Sequence, residues 1–435
     1  MYFPDNLSRP RHTAAAWTIR ADCKRPRLSD SPVTPPACSS SPAERPFAPF
    51  PDQFFQSRQQ LEMLMKTRRC MKTFAQMIAL ALAIGAATTA TAAPVFNFQF
   101  TAGTSAQAQQ GFITAASRWS NLLADDVTIN LTVGFNPLAG GTIAQAQSSR
   151  SLFYYSGFRG ALIQDASSRF DAMATSSLPG GGTFGMLLNR TSDNPNGAGS
   201  AIPYLDNNHS LNNSIVAITS AEAKAVGLVP IEETLSGCIG TCDGFIQFNS
   251  NFAFDFNPHD GVQADAFDFV GAAAHEIGHT LGFTSGVDVL EYYSTPPELH
   301  PADALPLVSG LDLFRYSEQS AAAGVIDWTA DDREKYFSID GGATGIATFS
   351  TGQAYGDGHQ ASHWEDDKYI GLMDPTGGMG EVVVITGEDL LALDAIGWDV
   401  SPVPEPSSYA MLGAGLMLLG GRAVRNSARK KPAGC

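Results

Sequence analysis

The stretch Ala272–Phe283, AAAHEIGHTLGF, constrains the chain more than any other. His275 and His279 stand four apart, so on a helix both rings leave one face and can converge on a single ion. Glu276 lies beside the first histidine, at the rim of that face. There it can take a proton from a water that a metal has acidified towards a pKa of about 7, and pass it to a leaving amine. Asp265 or Asp268 can cap the start of this helix and Gly282 can end it. The flanks are small and apolar. They predict a buried helix packed against a sheet, where two histidines and a glutamate would be costly without a purpose. A catalytic zinc takes three protein ligands, and this stretch supplies two.

Charge divides the 435-residue chain into three parts. The two ends, residues 1–92 and 403–435, hold 17 of its 27 Lys and Arg but 7 of its 43 Asp and Glu. Residues 93–402 therefore keep 10 basic and 36 acidic residues, a net charge of −26. Such a segment is repelled by nucleic acid and by anionic membranes, so nucleic acid is excluded as a partner. Calcium is a further cation that so acidic a surface could take.

Both ends have the make-up of addresses. From Met65 the chain reads MKTRRCMKTFAQMIALALAIGAATTATAAP: basic residues, an apolar run from about Phe74 to Ala87, then Ala90-Thr91-Ala92. That order is a secretory signal peptide over 65–92, cleaved after Ala92. The run is shorter than the ~20 apolar residues that a membrane span needs. Residues 1–64 are rich in Pro, Ser and Arg without sustained periodicity. They are a leader, either misassigned upstream of a true start at Met65 or Met71, or disordered. At the other end Pro404-Glu405-Pro406 precedes an apolar stretch, Tyr409–Gly421, and a basic cluster, Arg422 to Lys431. The parts make a short membrane-seeking helix with a basic tail. Their order resembles the PEP-CTERM sorting signal of Gram-negative bacteria. The resemblance implies that exosortase-type machinery handles 403–435, with transient membrane contact, on the way to the cell surface or extracellular matrix. In an exported domain, Cys238 and Cys242 are the pair for a small-loop disulfide.

Within 93–402, residues 109–126 carry apolar residues at helical spacing, 127–135 alternate as a half-buried strand, and 161–176 read as a second helix. Strand patterns follow at 214–220 and 244–256. Helices and strands alternate without a regular βαβ beat, which predicts an α+β or α/β domain.

His275, Glu276, His279 and Gly282 form HExxHxxG, which resembles the metzincin clan of zinc peptidases. In its common form a third ligand follows three residues after the glycine, but Ser285 stands there and a hydroxyl is a poor zinc ligand. Asp288 is three residues further on. Glu291 and Glu298 are too near to belong to a second helix. Further along, QASHWEDDKYIGLMDPTGG (360–378) joins His363 to GLMDP. This resembles leishmanolysin-type metzincins, in which a long insertion precedes the third histidine. The resemblance implies His363 as third ligand, Met373 as the Met-turn residue, 283–362 as the insertion, and 385–400 as a matrixin-like C-terminal helix. Asp288 and His359 remain alternatives to His363. It further implies an α+β zincin domain with a twisted mixed sheet, in which 244–256 forms the upper rim of the cleft. The function expected is exported zinc endopeptidase activity on proteins or peptides. Its rival is a non-catalytic surface or matrix protein with a structural metal site, and an intact Glu276 argues against that. A metal-dependent hydrolase of non-peptide bonds ranks last.

Overall fold

Parallel strands need connections longer than a hairpin, and the main sheet holds three strands that run parallel. A computed structural model describes residues 92–138, 141–231, 235–257, 259–294 and 298–401, together with the backbone of 15–19. The signal peptide (65–92, apart from Ala92), the sorting segment (403–435) and the rest of the leader lie outside the described residues. The fold is mixed α+β, with several small sheets around one larger one. No described helix is long and apolar enough to cross a membrane.

The larger sheet contains β1 (Ala15–Ile19), β2 (Val95–Phe100), β3 (Thr128–Asn136), β4 (Thr142–Ser148), β5 (Gly244–Asn249) and β6 (Thr376–Gly377). Its order is β6-β1-β4-β5-β3-β2. Strands β2, β3 and β5 are parallel, with Val95 opposite Thr128 and Leu131 opposite Gly244. β4 runs antiparallel to β5, with Ala146 opposite Ile246. The stretch 244–256 therefore does not form the rim expected of it. β5 lies inside the sheet between β3 and β4, and beyond β4 come β1 and then β6. Within the leader, Ala15–Ile19 forms a strand. A strand hydrogen-bonded along both edges draws on its backbone, so it needs no side-chain periodicity to announce it.

Eight α-helices are described: α1 (Ala106–Ser120), α2 (Tyr155–Asp165), α3 (Arg169–Ser177), α4 (Ser220–Ala225), α5 (Phe269–Leu281), α6 (Val287–Tyr293), α7 (Glu318–Ala323) and α8 (Gly387–Ala395). The single helix expected over 161–176 is two. Ser168 caps α3 with a full capping box to Asp171, and that geometry forces a break after Asp165. α5 packs on α1 and on β4. Phe269 at its start meets Phe112 and Phe248 with ring centroids 5.1 and 4.6 Å apart, which ties helix to helix and helix to sheet. The segment 283–362 carries α6, α7 and a three-stranded sheet of Arg315–Tyr316, Lys335–Phe337 and Ala347–Phe349. The expected disulfide joins Cys238 and Cys242.

Candidate metal centre

Every residue of α5 is buried. Asp268, rather than Asp265, caps it, accepting from Gly271 N at 2.8 Å. Gly282 ends it at φ 123°, a conformation that side chains rarely adopt. Between these caps, His275 and His279 face the segment that carries His363, 84 residues beyond the second histidine.

The three Nε2 atoms converge. They lie 3.1 Å (His275–His279), 3.2 Å (His279–His363) and 3.3 Å (His275–His363) apart. Two nitrogens bound to one tetrahedral zinc at about 2.05 Å stand about 3.3 Å apart, so the triangle fits one such ion. The opposite ring atoms fix the protons. His275 Nδ1 lies 2.8 Å from Leu372 O, His279 Nδ1 2.7 Å from Phe283 O, and His363 Nδ1 3.2 Å from Gln360 O. A carbonyl only accepts, so each Nδ1 carries the hydrogen and each Nε2 turns a lone pair towards the others. Burial holds His275 neutral, with its pKa pushed down to about 4. Burial and the neighbouring rings hold His279 and His363 well below the usual histidine range. Three neutral imidazoles with converging lone pairs repel one another unless a cation lies between them. Among the described residues, this is the group of ligand-bearing side chains placed to share an ion.

Glu276 is fully buried, and neither of its carboxylate oxygens has a hydrogen-bond partner. Burial raises its pKa well above the ordinary carboxylate value. Next to three metal-seeking nitrogens, such a carboxylate suits a group that will receive a proton.

The two alternatives to His363, Asp288 and His359, serve elsewhere, as do Ser285 and Glu291. Ser285 donates to Asp312 Oδ1 at 2.6 Å. Asp288 Oδ1 accepts from Ala361 N at 2.6 Å, two residues before His363, so it braces the third histidine instead of replacing it. His359 lies partly exposed, 3.4 Å from Asp366. Glu291, on α6, accepts the backbone N–H groups of Gln353, Ala354 and Tyr355.

Met373 is buried against α5, where a Cβ on Gly278 would fall 2.6 Å from its sulfur. Glycine at 278 is what lets the methionine lie so close beneath the histidines. The loop is held by a residue that sequence reasoning passed over. Asp389, in the first turn of α8, accepts Leu372 N at 2.7 Å through Oδ2 and Trp364 Nε1 at 2.8 Å through Oδ1. It thereby fixes the neighbours of both Met373 and His363. The signal that could have found it is Thr386-Gly-Glu-Asp389, a capping-box pattern.

Residues 402–426 match the PEP-CTERM protein-sorting motif. The chain is thus an exported protein of the Gram-negative type, delivered to the cell envelope by exosortase-type machinery. The PEP-CTERM match begins one residue after the last described one and includes none of the three histidines. No curated protein and no solved structure matches the chain.

Proposed function

We propose that the domain is a zinc endopeptidase of metzincin type that works outside the cytoplasm, at the cell surface or in the extracellular matrix. The observation that carries the reading is the Nε2 triangle, 3.1–3.3 Å on each side, beside a buried and unpartnered Glu276. His275, His279 and His363 would hold the zinc, which when bound polarises a peptide carbonyl. Glu276 accepts the proton of the attacking water and returns it to the departing amine. Met373 supplies an apolar floor, and the carbonyls of Leu372, Phe283 and Gln360 keep the rings turned inwards.

The reading is tested on the full chain with zinc content and casein hydrolysis, before and after Glu276→Gln. The expected result is about one zinc per chain in both, with hydrolysis falling by roughly 10²–10⁴-fold in the variant. Zinc without hydrolysis in either protein would favour a structural metal site, and a parent that binds no zinc would sink the reading.

A further inference from the structure

Another pocket opens where β3 and β5 begin, beside the start of α4. Its volume is about 320 Å³, and Ser149, Ser220, Lys224 and Asp243 are among the residues that line it. Sites for small ligands run from roughly 300 Å³ upwards, so this one has room for a single ring. Neither Glu276 nor any of the three histidines lines it.

Two hydroxyls in this lining are orphans. Ser149 is 1% exposed and Ser220 3%, and neither Oγ has a hydrogen-bond partner among the described residues. A buried hydroxyl left unpaired is unfavourable, so each calls for a partner that the fold does not supply. The charged pair beside them is only partly used. Lys224 Nζ donates to Asp243 Oδ2 at 2.6 Å and to Thr128 O at 3.1 Å, which takes two of its three hydrogens. Asp243 accepts Asn130 N at 2.7 Å, again through Oδ2, so among the described residues its Oδ1 is left to accept.

These groups select a ligand class. Lys224 and Asp243 neutralise each other, so the pocket favours neither an anion nor a cation. An extended peptide would need an open ladder of backbone groups. Here the amides are spent: Asp243 N donates to Asn130 O, Ser149 N to Asp243 O and Ser220 N to Ser149 O. Recognition therefore falls to side chains, and the ligand must be neutral and must both donate and accept. Neighbouring hydroxyls on a sugar ring do so, since each offers one hydrogen and two lone pairs. Leu228, Val229 and Pro230 supply an apolar wall for the C–H groups of such a ring.

We propose that this pocket binds one sugar ring of a glycan, with Ser149, Ser220, Lys224 and Asp243 reading its hydroxyls. Such binding is independent of the peptidase reading, because the pocket shares no residue with the metal centre.

The test is saturation-transfer NMR on the full chain with the methyl glycosides of glucose, galactose, mannose and N-acetylglucosamine. Acetate and N-acetylglycine methylamide, a carboxylate and a bare peptide unit, serve as controls. At least one glycoside should bind, and Ser149→Ala/Ser220→Ala should weaken it on the order of tenfold. Neither hydroxyl bonds within the described protein, so the variant should melt no lower than its parent. The methyl resonances of Leu228 and Val229 should also move on titration, while those of Val383, against Gly271 of α5, stay still. That readout needs no substitution and decides the matter if the variant fails to fold. Binding of acetate or of the peptide unit in preference to every glycoside overturns the sugar site. So does the absence of glycoside binding, equal affinity in parent and variant, or unmoved methyls at Leu228 and Val229.

Discussion

Two sets of buried carboxylates lie within the same core and are treated in opposite ways. Asp312 accepts from Ser285, Gly286, Ser309 and Trp328. Glu291 accepts three consecutive backbone amides, and Asp389 accepts from Leu372, Met373, Trp364 and Thr386. Glu276, buried as deeply, has no donor on either oxygen. A carboxylate out of water and without donors costs several kcal/mol unless it is protonated or meets a cation. The first set holds loops in place. The last accepts nothing and so adds nothing to their stability.

That contrast can be broken most decisively at the third histidine. His363→Ala should weaken zinc binding by on the order of 10³-fold, because one of three ligands is lost. Asp288→Ala should weaken it by roughly 10–100-fold through the loosened Ala361–His363 segment, and His359→Ala should leave it unchanged. Competition with a chelator measures all three, and retained affinity in His363→Ala would hand the ligand role to another residue.

Asp389→Ala tests the satisfied set. It strips acceptors from Leu372 N, Trp364 Nε1 and Met373 N at once, which should cost about 3 kcal/mol of stability. Zinc affinity should also fall by roughly 10–100-fold, although Asp389 contacts no histidine. A denaturant melt that moves without a change in zinc binding would separate the loop from the metal site.

Glu276→Gln should do the reverse in the zinc-free protein. Replacing an undonated, buried carboxylate by a neutral amide of the same shape should raise stability by about 1 kcal/mol at pH 8. A fall of that size would mean that the glutamate has donors after all.

The smallest effect lies furthest from the histidines. Burial, with Asp399 and Asp165 close by, pushes Asp125 up to about 8. Burial and the same kind of crowding push Asp165 and Asp394 up to about 7. Between their unfolded values near 4 and these folded values, the native state binds more protons than the unfolded chain. Their contribution to stability is therefore greatest in acid and declines as pH rises to about 8. The wild-type chain should gain melting temperature on going from pH 8 to pH 6. Asp125→Asn should gain less over that interval and melt about 2–4 °C higher at pH 8, equivalent to about 1 kcal/mol. Parallel melting curves for the two proteins would remove Asp125 from the account.

The sequence shows the histidine helix plainly because its information is local: a four-residue ligand spacing, a capping aspartate and a closing glycine all fall within Asp268–Gly282. His363 became readable only through its resemblance to a known arrangement, since nothing in the 83 intervening residues says that the chain returns. β4 went unread. Its Thr-Ile-Ala-Gln-Ala-Gln-Ser pattern is short and largely polar, and its place between β1 and β5, against α5, is a fact of topology. The supporting aspartates were hidden for a related reason. An Asp in a polar helix or turn looks solvated, and only the folded chain reveals that Asp312 and Asp389 point inwards at backbone amides.

The end of the domain has a mechanical consequence. Just before the sorting motif, Ser401 N donates to Leu122 O, Ala124 N donates to Asp399 O, and Val400 bridges antiparallel to Leu123. A pull on the tail during sorting meets this clasp first, against the segment that follows α1. Force is thus diverted before it reaches α8, so a protein hauled by its C-terminus can be stretched without tugging on Asp389 or on the histidines behind it.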